Sequence, residues 1–136
     1  MTADIPSSMT AIEISEPGKP DVLKPSTRKV PEPKKHEILI KVAAAGVNGP
    51  DLVQRRGHYP PPKGATDLLG LEVAGEVVAA GENVTEWVIG DQVCGLTNGC
   101  GYAQYVAADA THFLPVPQQL DLVEAASLPE TFFTVW

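Results

Sequence analysis

Alternation of apolar and polar positions is clearest over residues 36–45. Ile38, Ile40, Val42 and Ala44 share one face there, and Glu37, Leu39 and Lys41 share the other. A two-residue period predicts a strand. The same period predicts a strand over 9–15, and residues 22–30 offer room for a second, with Pro25 confining it to an edge or a bulge. Further strands are expected over 71–80, 92–96, 102–107 and 112–116, separated by Gly-, Pro- and Asn-rich turns. Helical signals are short. Asn48 is a good N-cap, Pro50 suits a first turn, and Asp51 sits where a capping box places its acid, so a helix is predicted over 50–56 with Gly57 as its stop. Residues 121–127 read as a brief helix, and Pro129-Glu130 opens another that runs through Phe132, Phe133, Val135 and Trp136.

Composition turns this pattern into a fold class. With 136 residues, 43% hydrophobic, 12 Gly and 13 Pro, the chain is a turn-rich, mainly β domain and neither a helical bundle nor a disordered segment. The expected organisation is a tail over 1–8, one domain over 9–128, and over 129–136 the start of a helix leading elsewhere. An apolar helix ending on Trp136 needs something to pack on. It either folds back on this domain or opens a second one.

Charge excludes some partners. The net charge is −7, and no Lys or Arg follows Lys63. An acidic chain of this kind is a poor nucleic-acid binder. No run approaches a membrane span, and the first residues lack a basic-then-apolar leader, so a cytoplasmic setting is expected without membrane partners. Cys94 and Cys100 are too few for a disulfide scaffold and have no metal-ligand spacing. His36, His58 and His112 are isolated and read as structural or exposed. Arg55 and Arg56 read as a solvated helix face.

The most specific stretch is Gly70-Leu71-Glu72-Val73-Ala74-Gly75-Glu76-Val77-Val78-Ala79-Ala80-Gly81, followed by Gly90-Asp91. Gly75 permits close backbone approach or a bulge, and Gly81 and Gly90 suit positive-φ turns. With Asn48-x-x-Asp51, Arg55-x-Gly57-x-Tyr59-Pro60-Pro61, Gly101-Tyr102-Ala103-Gln104-Tyr105-Val106 and Ala125-Ala126-Ser127-Leu128-Pro129-Glu130-Thr131, it resembles the zinc-free, zeta-crystallin-like quinone oxidoreductase branch of the medium-chain dehydrogenase/reductase superfamily. The resemblance covers roughly residues 9–136. It implies the N-terminal catalytic domain, a GroES-like partly open β-barrel with a few short helices. A Rossmann domain that this chain lacks would follow, and a homodimer is expected in the full-length protein.

The resemblance also implies a chemistry. Zinc members place a Cys and a His where this chain has Asn48 and Leu71, so no catalytic zinc is expected. The implied reaction is hydride transfer from NADPH, held mainly by the missing domain, to a quinone. The alternatives are an alkenal or enone reductase, or a free-standing GroES-like module used for binding or assembly. Asn48, Asp51 and Tyr59 are the candidate catalytic residues, and Asn48 and Thr134 the candidate cofactor contacts. Each has a plainer reading beside this one: Asn48 and Asp51 as a helix cap, Tyr59 as a surface aromatic on the proline run, Thr134 as an ordinary helix residue. Some members carry a second Tyr where this chain has Val53, which leaves the acceptor preference open. Gly99-Cys100-Gly101-Tyr102-Ala103-Gln104 is no dinucleotide fingerprint, since it ends in Gln and precedes a strand.

Overall fold

A computed structural model describes residues 4–136. A hairpin of β1 (Ser8–Ile14) and β2 (Leu23–Lys29) forms one antiparallel pair, in which Pro25 lies opposite Ile12. The main sheet has the order β6-β3-β4-β5-β7 and is antiparallel throughout. Its strands are β3 (Glu37–Ala45), β4 (Glu72–Ala80), β5 (Gln92–Leu96), β6 (Tyr105–Asp109) and β7 (Phe113–Pro115). Residues 102–104 stitch the hairpin to this sheet: Ile12 N–H donates to Tyr102 O and Gln104 N–H to Thr10 O, while Val42 N–H donates to Gln104 O. The result is the expected mainly β, partly open barrel.

The expected strand over 102–107 starts later than predicted. Residues 102–104 bond to the hairpin and to Val42, and the regular ladder with β3 begins at Tyr105. The expected tail over 1–8 meets the hairpin at its described end. Ser8 opens β1, Val30 N–H donates to Ser7 O, and Ile5 packs beside Met9 and Val30; residues 1–3 lie outside the described residues.

β3 is buried on both faces over Ile38–Ile40. Ile38 and Ile40 pack with Val73, Val77, Val93, Val106 and Phe113, while Leu39 packs on the other side with Met9, Val30, Val78 and Tyr105. Register shifts between Leu39 and Ile40 and between Val42 and Ala44 bend the β3–β4 pair. Gly75 lies within this pair, where a Cβ would overlap the Lys41 carbonyl. Gly90 has φ +99°, as expected. Gly81 does not have positive φ, and glycine is needed there because the Lys34 and Lys35 carbonyls press against it.

The described residues also hold three short α-helices: α1 (Gly49–Arg55), α2 (Leu122–Ala125) and α3 (Pro129–Val135). α1 ends in a Schellman turn. Gly57, at φ +84°, donates to Gln54 O, and His58 N–H reaches Val53 O. Ahead of β4, Gly70 has φ +107° and lies against Gly101, where a Cβ would overlap backbone. The first turn of α3 packs on β4 and β5, with Pro129 buried, while Phe132, Val135 and Trp136 stay exposed. No helix among the described residues is long and apolar enough to cross a membrane.

Candidate active site

The end of β3 and the start of α1 put Asn48 and Asp51 together. Asn48 is extended, with φ −126° and ψ 162°, and its backbone N–H donates to Asp51 Oδ2 at 3.0 Å, one arm of a capping box. The same Oδ2 accepts the Tyr102 hydroxyl at 2.8 Å. Asp51 is buried, and its Oδ1 has no hydrogen-bond partner among the described residues. Burial, then the hydrogen bond to Asp51, push the Tyr102 hydroxyl well above its usual range, so it stays a neutral donor.

Glu72, at the start of β4, joins this network from below. Its Oε1 accepts from Asn48 Nδ2 at 2.9 Å, and its Oε2 accepts from the backbone N–H of Glu130 at 2.9 Å, in the first turn of α3. Gly46 faces this carboxylate so closely that a Cβ would overlap it. Burial, then the negative charges of Glu72 and Asp51, raise the Glu130 carboxyl above its ordinary value. Glu130 and Leu71 both line a hollow of about 290 Å³ shared with Leu96, Thr97, Asn98 and His112.

The other candidates stand apart. Tyr59 is 49% exposed in the loop after α1 and has no hydrogen bond to Asn48 or Asp51. Thr134 is exposed, and its hydroxyl donates to Glu130 O at 2.6 Å, an ordinary back-bond within α3. Arg55 corrects the solvated-face reading: it is buried, and its Nε donates to Gly18 O at 3.0 Å. Arg56 is exposed, as are all three histidines. A larger cavity of about 950 Å³, lined in part by Arg28, Lys34, Lys63 and Cys100, touches none of the candidate residues.

Sequence reasoning did not single out Glu72 or Tyr102 as site residues. A signal for Glu72 was present: a carboxylate at the head of a strand, followed directly by the small and apolar Val73, Ala74 and Gly75. Tyr102 carried no such signal, because its position read as part of a strand.

Zinc does not fit this donor set. Asn48 Nδ2 is bound to Glu72, Leu71 offers no donor atom, and among the described residues no group of three His, Cys, Asp or Glu is placed to hold a metal. Neither thiol is poised as a thiolate. Burial raises Cys94, with Glu72 adding to it, and pushes Cys100 up to about 11. The 99–102 turn is no phosphate cradle either, since the N–H groups of Cys100, Gly101 and Tyr102 donate to the carbonyls of Leu68, Gly70 and Leu69.

Residues 34–118 match the family described as the alcohol dehydrogenase GroES-like domain. A quinone oxidoreductase of Lama guanicoe is 41% identical over 131 residues, covering 94% of this chain and 39% of that protein. The structure of the quinone oxidoreductase from Coxiella burnetii superposes with a TM-score of 0.85 at 35% identity, over 93% of this chain and 43% of that one. The CurK enoyl reductase does so with a TM-score of 0.84 at 30% identity, over 95% and 41%. The chain thus spans about two fifths of the length of the relatives it matches. It belongs to the alcohol dehydrogenase GroES-like domain family, and within that family it is similar to the quinone oxidoreductases.

Proposed function

We propose that this chain is the catalytic-side domain of a zinc-independent, NADPH-dependent quinone oxidoreductase whose dinucleotide is held mainly by a Rossmann domain. The observation that carries the reading is Asn48, fixed by Glu72 and Asp51 where zinc members place a metal-binding Cys, in a chain similar to quinone oxidoreductases. NADPH, when bound, supplies the hydride. Asn48 is the residue of this chain that would meet the nicotinamide or the acceptor, with Tyr59 as an outer wall and Thr134 approaching from α3. A quinone stabilises incoming charge through its own conjugation, so the domain's task is orientation and exclusion of water. The likeness to an enoyl reductase favours a second reading, an enone in place of the quinone.

The test uses the chain joined to its cofactor domain. NADPH consumption with a quinone should survive dialysis against a chelator, and loss of activity restored by zinc would overturn zinc independence. Faster turnover of an enone than of any quinone would favour the second reading. Asn48→Ala removes the donor to Glu72 Oε1, at about 1–3 kcal/mol of stability, and should in addition lower the turnover of the protein that remains folded. The 136-residue chain alone should bind NADPH no better than millimolar, because a few nicotinamide-side contacts must offset at least about 4 kcal/mol of association cost. Micromolar affinity would mean that the cofactor site has been misplaced.

A further inference from the structure

Glu72 sits where a carboxylate is least expected. Its side chain is only 3% exposed, and Val73, Ala74 and Gly75 follow it into the sheet, all buried. A charge in such surroundings is costly unless donors meet it. Two donors do, from distant parts of the chain. Asn48 Nδ2 comes from the mouth of α1 and occupies Oε1, and the Glu130 N–H comes from the first turn of α3 and occupies Oε2. Leu128, the N-cap of α3, supplies no side-chain cap. Glu72 therefore provides across space the acceptor that a local cap would give. Gly46 keeps the room for it.

We propose that Glu72 is a positioning residue that holds the Asn48 amide and the first turn of α3 in one register. The inference rests on the hydride-transfer reading above. In that reading Asn48 and Thr134 approach the nicotinamide from different elements, and no hydrogen bond joins them. The Glu72 carboxylate is bonded to both elements: directly to Asn48, and to Glu130, whose carbonyl in turn accepts from Thr134. Hydride transfer tolerates little misplacement of the reacting carbons. A link between the two elements thus acts on the chemical step, although Glu72 itself touches neither ligand. Glu72→Gln keeps the shape but offers one acceptor oxygen and one NH₂ group. It can accept from Glu130 only if Asn48 turns its amide over.

Two measurements test this. In the 136-residue chain, Glu72→Ala should speed hydrogen exchange of the Glu130 N–H by about tenfold or more. The N–H groups of Val42 and Val77, bonded to Gln104 O and Asp91 O, should stay as protected as before. If that variant does not fold, Gly46→Ala displaces the carboxylate and gives the same readout. Unchanged exchange at Glu130 would overturn the link. In the protein carrying its cofactor domain, Glu72→Gln should lower the single-turnover rate constant for NADPH oxidation by a quinone about tenfold or more. NADPH affinity should shift far less. A purely structural role would lower the amplitude, as fewer molecules fold, but leave the rate constant alone, and that result would overturn the positioning role. If the unaltered protein oxidises no NADPH with any quinone or enone, the hydride-transfer reading falls and the kinetic role with it, whereas the exchange result still decides separately whether the link exists.

Discussion

The five-stranded sheet and α1 obey opposite rules of burial. In β3 and β4 the interior is Ile38, Leu39, Ile40, Val73, Val77 and Val78, and each strand reads as an apolar stretch. In α1 the buried residues are Asp51 and Arg55, one turn apart, while Leu52 and Val53 face outward, 40% and 37% exposed. The sheet is held by packing that neighbouring side chains share. α1 is held by individual bonds: Asp51 to Tyr102 and Asn48, Arg55 to Gly18. A helix turned inside out in this way has its position set by hydrogen bonds and leaves its apolar face free for something outside the domain. In the proposed function, that something is the acceptor and the cofactor domain.

The comparison can be broken most forcefully in the sheet. Ile40→Ala should cost about 2–5 kcal/mol, since a fully buried side chain leaves a cavity behind. Leu52→Ala in α1 should stay within about 0.5 kcal/mol, since that side chain is exposed. Chemical denaturation of the two variants checks the contrast, and comparable losses would show that α1 packs on its apolar face after all.

A smaller effect separates packing from bonding within α1. Asp51→Ala leaves the Tyr102 hydroxyl and the Asn48 N–H without an acceptor, at about 1–3 kcal/mol per orphaned donor. Asp51→Asn should cost much less. Both donors use Oδ2 alone, and an amide oxygen there can still accept both. If the two variants prove equally unstable, the negative charge matters more than the acceptor.

The smallest expected effect is electrostatic. The Glu130 carboxyl is raised from an ordinary value of 4.5 by burial and by Glu72 and Asp51. The native state therefore binds its proton more tightly than the unfolded chain does. That contribution is complete below the ordinary value and is lost as pH rises through the raised one. Glu130→Gln should consequently raise the melting temperature at neutral pH, by a few degrees at most, with the gain shrinking to nothing near pH 4. A gain that persists in acid would point to packing instead.

Much of the sheet is legible because β3 alternates, β4 is an apolar stretch broken by Gly75, and the turns carry Gly or Pro. The start of β6 was misplaced because residues 102–104 have strand-like spacing yet bond partly to β1, which no local pattern reveals. α1 was legible through its cap residues, whereas the direction of Arg55 was not. Its inward turn depends on the Gly18 carbonyl, 37 positions earlier in the chain. The candidate site was read in half. Asn48 and Asp51 are close in sequence, so a capping pattern exposes them. Glu72 and Tyr102 reach them only after the barrel has wrapped.

The contact between Gly70 and Gly101 bears on how this domain tolerates recombination with its relatives. Neither position has space for a Cβ, and each is closed by the other's backbone. Segment exchange that takes residue 70 from one parent and residue 101 from another succeeds only if the first donates glycine at 70 and the second donates glycine at 101. Crossovers between these two positions are therefore constrained as a pair, although the residues stand 31 places apart in the chain. In a library shuffled with a parent that replaces both glycines by its own compensated pair, surviving chimeras should inherit the two positions together.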